Sequence, residues 1–136
     1  MKLAYDIVRE LLITLEESPK DHMYLGDFGE VEKYHLMRMQ EANLIAIDVW
    51  DSHIFHRKTY IDDAGEEFTK NVRSEGSVSL TWHGHDYLDA VRSETVWQET
   101  RQAVAETGGN AAFEIVKALA IGFAKQKIAK HTGIEI

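Results

Sequence analysis

Apolar side chains recur along this chain in two rhythms, one of helical and one of strand period. Leu3, Ile7, Val8, Leu11, Leu12 and Leu15 fall at helical spacing and predict a first helix over residues 2–17. Ser18-Pro19 ends it, because proline disfavours helix in the residue before it. Residues 20–29 form a connector in which Met23 to Leu25 offer a brief strand, while Gly26 and Gly29 oppose a full helix. A second helix over 30–42 places Val31, His35, Met39 and Ala42 on one face, with Tyr34 and Leu36 flanking it. Asn43 follows, where a helix often ends in left-handed backbone. Residues 44–50, LIAIDVW, then read as a strand with Ile45, Ile47 and Val49 on one side.

The stretch from Val78 to Trp97 organises the rest. Val78 and Leu80 alternate with Ser79 and Thr81, the period of a half-buried strand. Thr81 then caps a helix on which Gly84, Leu88, Val91 and Thr95 share a face beside Tyr87. The strands near Ile45 and Ser79 are expected to pair. Trp82 is expected to plug the seam between sheet and helices, with Leu80, Gly84, His85, Leu88 and Trp97 completing it. Between the strands, residues 51–77 are polar and punctuated by glycine, with apolar anchors at Ile54, Phe55, Tyr60, Ile61, Phe68 and Val72. Ile54 to Ile61 reads as a strand and Asp62 to Glu66 as a turn. Thr95-Val96-Trp97-Gln98 has capping-box spacing and predicts a helix to about Glu106. Thr107-Gly108-Gly109 breaks it, and Asn110 caps a last helix through Ala129. That helix is apolar on more than one side, which suits a wrapped core helix or a homodimer contact through residues 110–129.

Helix, connector, helix ending in an Asn turn, strand, long excursion, strand is the grammar of a winged helix-turn-helix. The fold class is α+β, mainly α: a winged-helix-like domain with a small antiparallel sheet and additional C-terminal helices. Residues 1–97 would form the core, with 51–77 as a long wing, and residues 98–136 a helical extension packed on the same domain. The segment YHLMRMQEANLIAI resembles the recognition helix and first wing strand of winged-helix regulators. The chain also resembles a family of small bacterial and phage proteins of unknown function. That resemblance rests on the acidic end of the first helix (Leu11 to Glu17), on Tyr34-His35-Leu36, and on the Leu-Thr-Trp-x-Gly-His-Asp-x-Leu-Asp block from Leu80 to Asp89 with Trp97 downstream. It implies a winged-helix-like fold and a phage or prophage setting, and brings no catalytic residues. One departure stands out: residues 18–29 leave little room for the middle helix of a helix-turn-helix.

Composition and charge then narrow the function. The 136 residues are 44% apolar and carry a net charge of −8, which fits a soluble globule and opposes binding dominated by phosphate contacts. Helix 30–42 sets Glu30, Glu32 and Glu41 against Lys33 and Arg38. The last helix is the basic segment, with Lys117, Lys125, Lys127 and Lys130 against Glu114. The absence of cysteine excludes disulfides and thiolate chemistry. Asp6, Arg9 and Glu10 interrupt the N-terminal apolar pattern, which excludes a signal peptide, and no uncharged apolar run reaches the roughly 18 residues of a membrane span. The expected setting is the cytoplasm.

Among the seven histidines, His53-x-x-His56 and His83-x-His85 are the pairs that would have to converge to hold zinc; the plainer reading is hydrogen bonding in the fold, and no cofactor is assigned. His35, on an apolar stripe, reads as a satisfied interior histidine. No catalytic constellation appears, so the chain reads as a non-enzyme with two open roles. In one it binds duplex DNA through Lys33, Tyr34 and Arg38 on the second helix and His56, Arg57 and Lys58 on the wing, with Arg57-Lys58 at the tip. In the other the same scaffold is a protein-interaction module, or an acidic inhibitor of a host factor.

Overall fold

The computed structural model describes residues 1–50, 55–107 and 112–133. Helix α1 (Tyr5–Glu17) is followed by a two-residue strand β1 (Met23–Tyr24), a single 3-10 turn (Leu25–Asp27) and helix α2 (Glu30–Glu41). Strands β2 (Ile45–Val49), β3 (Phe55–Ile61), β4 (Glu67–Arg73) and β5 (Gly76–Leu80) come next, then helices α3 (Trp82–Val91), α4 (Glu94–Glu106) and α5 (Phe113–Thr132). The class is α+β and mostly helical. The strands form two antiparallel units: a sheet in the order β1-β5-β2, and a separate β3-β4 hairpin.

The two ribbons predicted to pair do so. Ile45 stands opposite Leu80 and Ile47 opposite Val78, with β1 on the other edge of β5 through Met23 and Val78. Ile45 and Val78 are buried, β2 packing on α2 and β5 on α1 and α3, while Ile47 is half covered and Val49 is exposed because β2 runs out past the core. Leu12, Leu36 and Leu88 are fully buried, and burial of such a side chain contributes about 1.5–3 kcal/mol. Asn43 adopts φ 63°, the left-handed residue predicted after α2. α5 joins the same core through Val116 and Ala120, with Phe113 edge-on to Tyr5 and Tyr87 at 5.5 and 5.7 Å between ring centroids.

Several boundaries differ from the sequence reading. α1 starts at Tyr5 because Ala4 is extended and its N–H donates to Nε2 of His35 at 2.9 Å. His35 is buried and donates from Nδ1 to the Val31 carbonyl at 2.7 Å, so both ring nitrogens are satisfied in the neutral form. α3 stops at Val91, and α4 is capped by Ser93, whose hydroxyl accepts from Val96 N. The capping box read at Thr95 is therefore not formed; Gln98 donates to Glu94 instead. The end of α3 has a cap that the sequence reading missed. Arg9 is buried and donates to the carbonyls of Val91 and Arg92, both at 2.9 Å, which satisfies acceptors a helix end leaves open. The Asn110 cap and the Gly108-Gly109 break lie outside the described residues.

The largest correction is Trp82, which is 84% exposed and plugs nothing. The helical period explains this. Gly84, Tyr87, Leu88 and Val91 are buried on the inner face of α3, so Trp82 and His85 stand on the outer one, and His85 is exposed as well. The seam closes by backbone contact: Gly84 lies against the Leu44 carbonyl, and Thr81 N donates to that same oxygen at 3.2 Å. Thr81 caps α3 as predicted, accepting from Gly84 N at 3.1 Å. Leu80 is half-buried and packs on the core, and Leu88 and Trp97 lie within it.

Candidate interaction surface

The β3-β4 hairpin stands apart from the three-stranded sheet, and its register fixes which groups it presents. Seven residue pairs run from Phe55↔Arg73 to Ile61↔Glu67. Asp62 builds the turn, its carboxylate accepting from Ala64 N and Glu66 N, and Gly65 takes the left-handed position at φ 79°. The tip is therefore Asp62, Asp63, Glu66 and Glu67, all acidic. Arg57 and Lys58 face Asn71 and Lys70 in the body of the ribbon, so the assignment of Arg57-Lys58 to the wing tip is corrected. The error came from reading β3 alone; β4 is polar at most positions and solvated on both faces, so no alternation marked it.

The two hairpin faces differ. On one, Tyr60 stacks on Phe68 at 5.4 Å, and the ammonium groups of Lys58 and Lys70 lie 5.5 and 5.0 Å from the Tyr60 ring. The other carries Phe55, Arg57, Thr59 and Ile61 opposite Arg73, Asn71, Thr69 and Glu67. Phe55, Ile61 and Phe68 are all exposed.

One cluster ties the hairpin to the body. His56 Nε2 meets Asp27 Oδ1 at 2.9 Å, and Nδ1 meets the Ser74 hydroxyl at 3.0 Å. The imidazole stacks on Tyr24 at 4.1 Å, and the Lys58 ammonium lies 3.4 Å from the same Asp27 oxygen. Gly26 makes the approach possible: its N–H donates to Ser74 O at 2.9 Å, and a β-carbon there would stand 2.0 Å from Arg73 O. The connectivity is that of a Ser-His-Asp triad, yet Ser74 is fully buried, so no substrate carbonyl reaches its oxygen. The arrangement is a strut.

The basic groups of α2 are already engaged. Lys33 pairs with Glu75 at 2.9 Å, and Arg38 pairs with Glu41 at 3.4 Å and donates to the Tyr34 hydroxyl at 3.2 Å. The structure thus brings His56 and Lys58 together over Asp27, and leaves Lys33, Tyr34 and Arg38 on a separate helix bonded to their own acids and to each other. His53 lies outside the described residues. His83 and His85 are exposed on α3, and among the described residues no three His, Asp or Glu side chains converge on a metal-sized site.

A solvent-facing hairpin, a helix whose cations are already paired and a largely buried strut define a small α+β domain of unknown function. The chain belongs to the family described as hypothetical protein (DUF2513), which matches residues 2–110. It is similar to an uncharacterized protein of Haemophilus influenzae, 25% identical over 135 residues, covering 95% of this chain and 100% of that one. No solved structure matches. Among the described residues, no helix is long and apolar enough to cross a membrane.

Proposed function

We propose that this protein is a non-enzymatic, winged-helix-like regulatory or accessory factor that docks a protein partner rather than gripping duplex DNA. The element order supports the winged-helix part: α1, β1, turn, α2, β2, hairpin, β5, with the Leu25–Asp27 turn where a helix-turn-helix has its middle helix. The observation that carries the docking role is charge. Lys33 and Arg38 on the would-be recognition helix are paired with Glu75 and Glu41, Lys58 is paired with Asp27, and the would-be wing tip is acidic. A groove-reading helix offers unpaired basic and amide groups to bases and phosphates. The cytoplasmic, phage or prophage setting that the sequence resemblance implies belongs to the same reading.

Titration with random duplex DNA at low and moderate salt tests it. No binding at low salt is the expected result. Binding that weakens steeply as salt is added overturns it, because that slope reports phosphate contacts. A DNA-binding role is the second reading, favoured by Arg57, Lys70 and Arg73 on the exposed strands of the hairpin. In that case Arg57→Ala with Lys58→Ala weakens binding and lowers the salt dependence.

A further inference from the structure

We propose that the partner docked by the hairpin is a second copy of this chain, and that the surface it meets is the outer face of α5. The inference rests on the protein-docking reading above and names its partner. A two-stranded ribbon is at best marginally stable in water without a third strand or a packed helix. Here Phe55 and Ile61, on one face of such a ribbon, are 54% and 71% exposed, and Phe68 on the other face is 44% exposed. α5 shows the matching excess. Its inner face buries Val116 and Ala120, with Phe113, Leu119 and Phe123 packed beside them. Ile121 and Ile128, seven residues apart and so on one face, remain exposed outside that contact.

Charge selects the pairing. The hairpin tip carries Asp62, Asp63, Glu66 and Glu67 next to Ile61. The outer half of α5 carries Lys125, Lys127, Lys130 and His131, with Lys125 between Ile121 and Ile128. Lys117, nearer the core, is already bonded to Asp86. Among the described residues Lys125, Lys127 and Lys130 are exposed, and none of them enters an ion pair. The end of a helix dipole favours cations, but it does not account for the isoleucines beside them. An acidic ribbon with an apolar flank laid on a basic helix with an apolar stripe joins two complementary surfaces that this one sequence supplies. Opposite charges across such an interface set the register and suppress wrong partners.

Two variants test it. Lys125→Glu with Lys127→Glu makes both surfaces acidic. Asp63→Lys with Glu66→Lys and Glu67→Lys turns the hairpin tip basic, and it leaves Asp62 and Gly65 to build the turn. Sedimentation equilibrium of the full chain is followed from micromolar to several hundred micromolar, at low and high salt, with circular dichroism confirming that each variant folds. The wild type is expected to self-associate at low salt and less at high salt. Each variant alone is expected to be monomeric. An equimolar mixture of the two is expected to associate again, because each hairpin then meets an α5 of opposite charge. A wild type that stays monomeric at every concentration overturns this proposal and leaves the docking reading to its DNA titration. Self-association unchanged by both reversals also overturns it, since the contact then lies elsewhere.

Discussion

Gly84 rests so closely on the carbonyl of Leu44 that a β-carbon at residue 84 would stand 1.9 Å from that oxygen and 3.0 Å from its carbon. Both are backbone atoms of the β2 entry and cannot step aside like a flexible side chain. Gly84→Ala therefore forces α3 away from the sheet. The expected cost is about 3 kcal/mol or more, the upper range for overpacking, read as a lowered denaturation midpoint. Gly122→Ala is the control. Nothing lies within 4 Å of a β-carbon at residue 122, and alanine in a helix interior is favoured over glycine by about 0.5–1 kcal/mol, so this variant is expected to be slightly more stable. Equal effects at the two sites would refute the contact as the cause.

Trp82 and Trp97 are expected to behave as opposites. Trp82 is 84% exposed, whereas Trp97 is buried, donates from Nε1 to Asp6 at 2.8 Å and lies under the Arg9 guanidinium. Trp82→Ala is expected to change stability by less than about 0.5 kcal/mol, as surface changes do, and to remove red-shifted fluorescence. Trp97→Ala is expected to cost about 3–5 kcal/mol. A large loss in urea unfolding of the Trp82 variant would restore that residue to the seam.

These two tryptophans mark where the sequence was legible. The apolar stripe of α1, the strand character of the segments holding Ile45 and Val78 and the left-handed Asn43 could each be read from local spacing, because each obeys a local rule of period or turn. Trp82 was misread because residue size was taken for burial. Its spacing from Gly84, Leu88 and Val91 already placed it on the opposite side of α3. The Asp27-His56-Ser74 strut and the Arg9 cap join residues 18 to 83 positions apart. No single-sequence period encodes contacts of that range. β4 escaped notice for a different reason: a ribbon with two solvated faces has no hydrophobic side to alternate.

The strut predicts how the hairpin opens. Asp27 receives both His56 and Lys58, and its side chain is only 16% exposed. Asp27→Ala removes the acceptor from both. The hydrogen bond from His56 to this carboxylate contributes about 1.5–3 kcal/mol, so amide exchange across β3 and β4 is expected to speed up about ten- to a hundredfold. The α1 and α3 amides, held by the core, should keep their protection, since local opening need not follow global unfolding. Exchange that rises equally throughout the chain would show that Asp27 supports the whole fold rather than one ribbon.

The bond between Glu16 and Arg92 joins the C-terminal ends of α1 and α3, and it sets a pH dependence of known sign. Glu16 is held below its ordinary value chiefly by the hydrogen bond from Arg92, with the charges of Arg92 and His85 adding, against a smaller opposing effect of burial. A carboxyl depressed in the folded state binds fewer protons there than in the unfolded chain. Its contribution is complete above the unfolded value near 4.3, and it disappears as pH falls through that value and then the lower folded one. The side chains of Arg92 and Glu16 are 46% and 30% exposed, so the effect is that of a screened surface pair, about 0.5–1 kcal/mol. Glu16→Gln is thus expected to be less stable than wild type by that amount at neutral pH, with the difference closing in the acid range and shrinking in high salt. Urea unfolding of both proteins across pH 2–7 measures it; a gap that persists in acid would assign the loss to packing instead of charge.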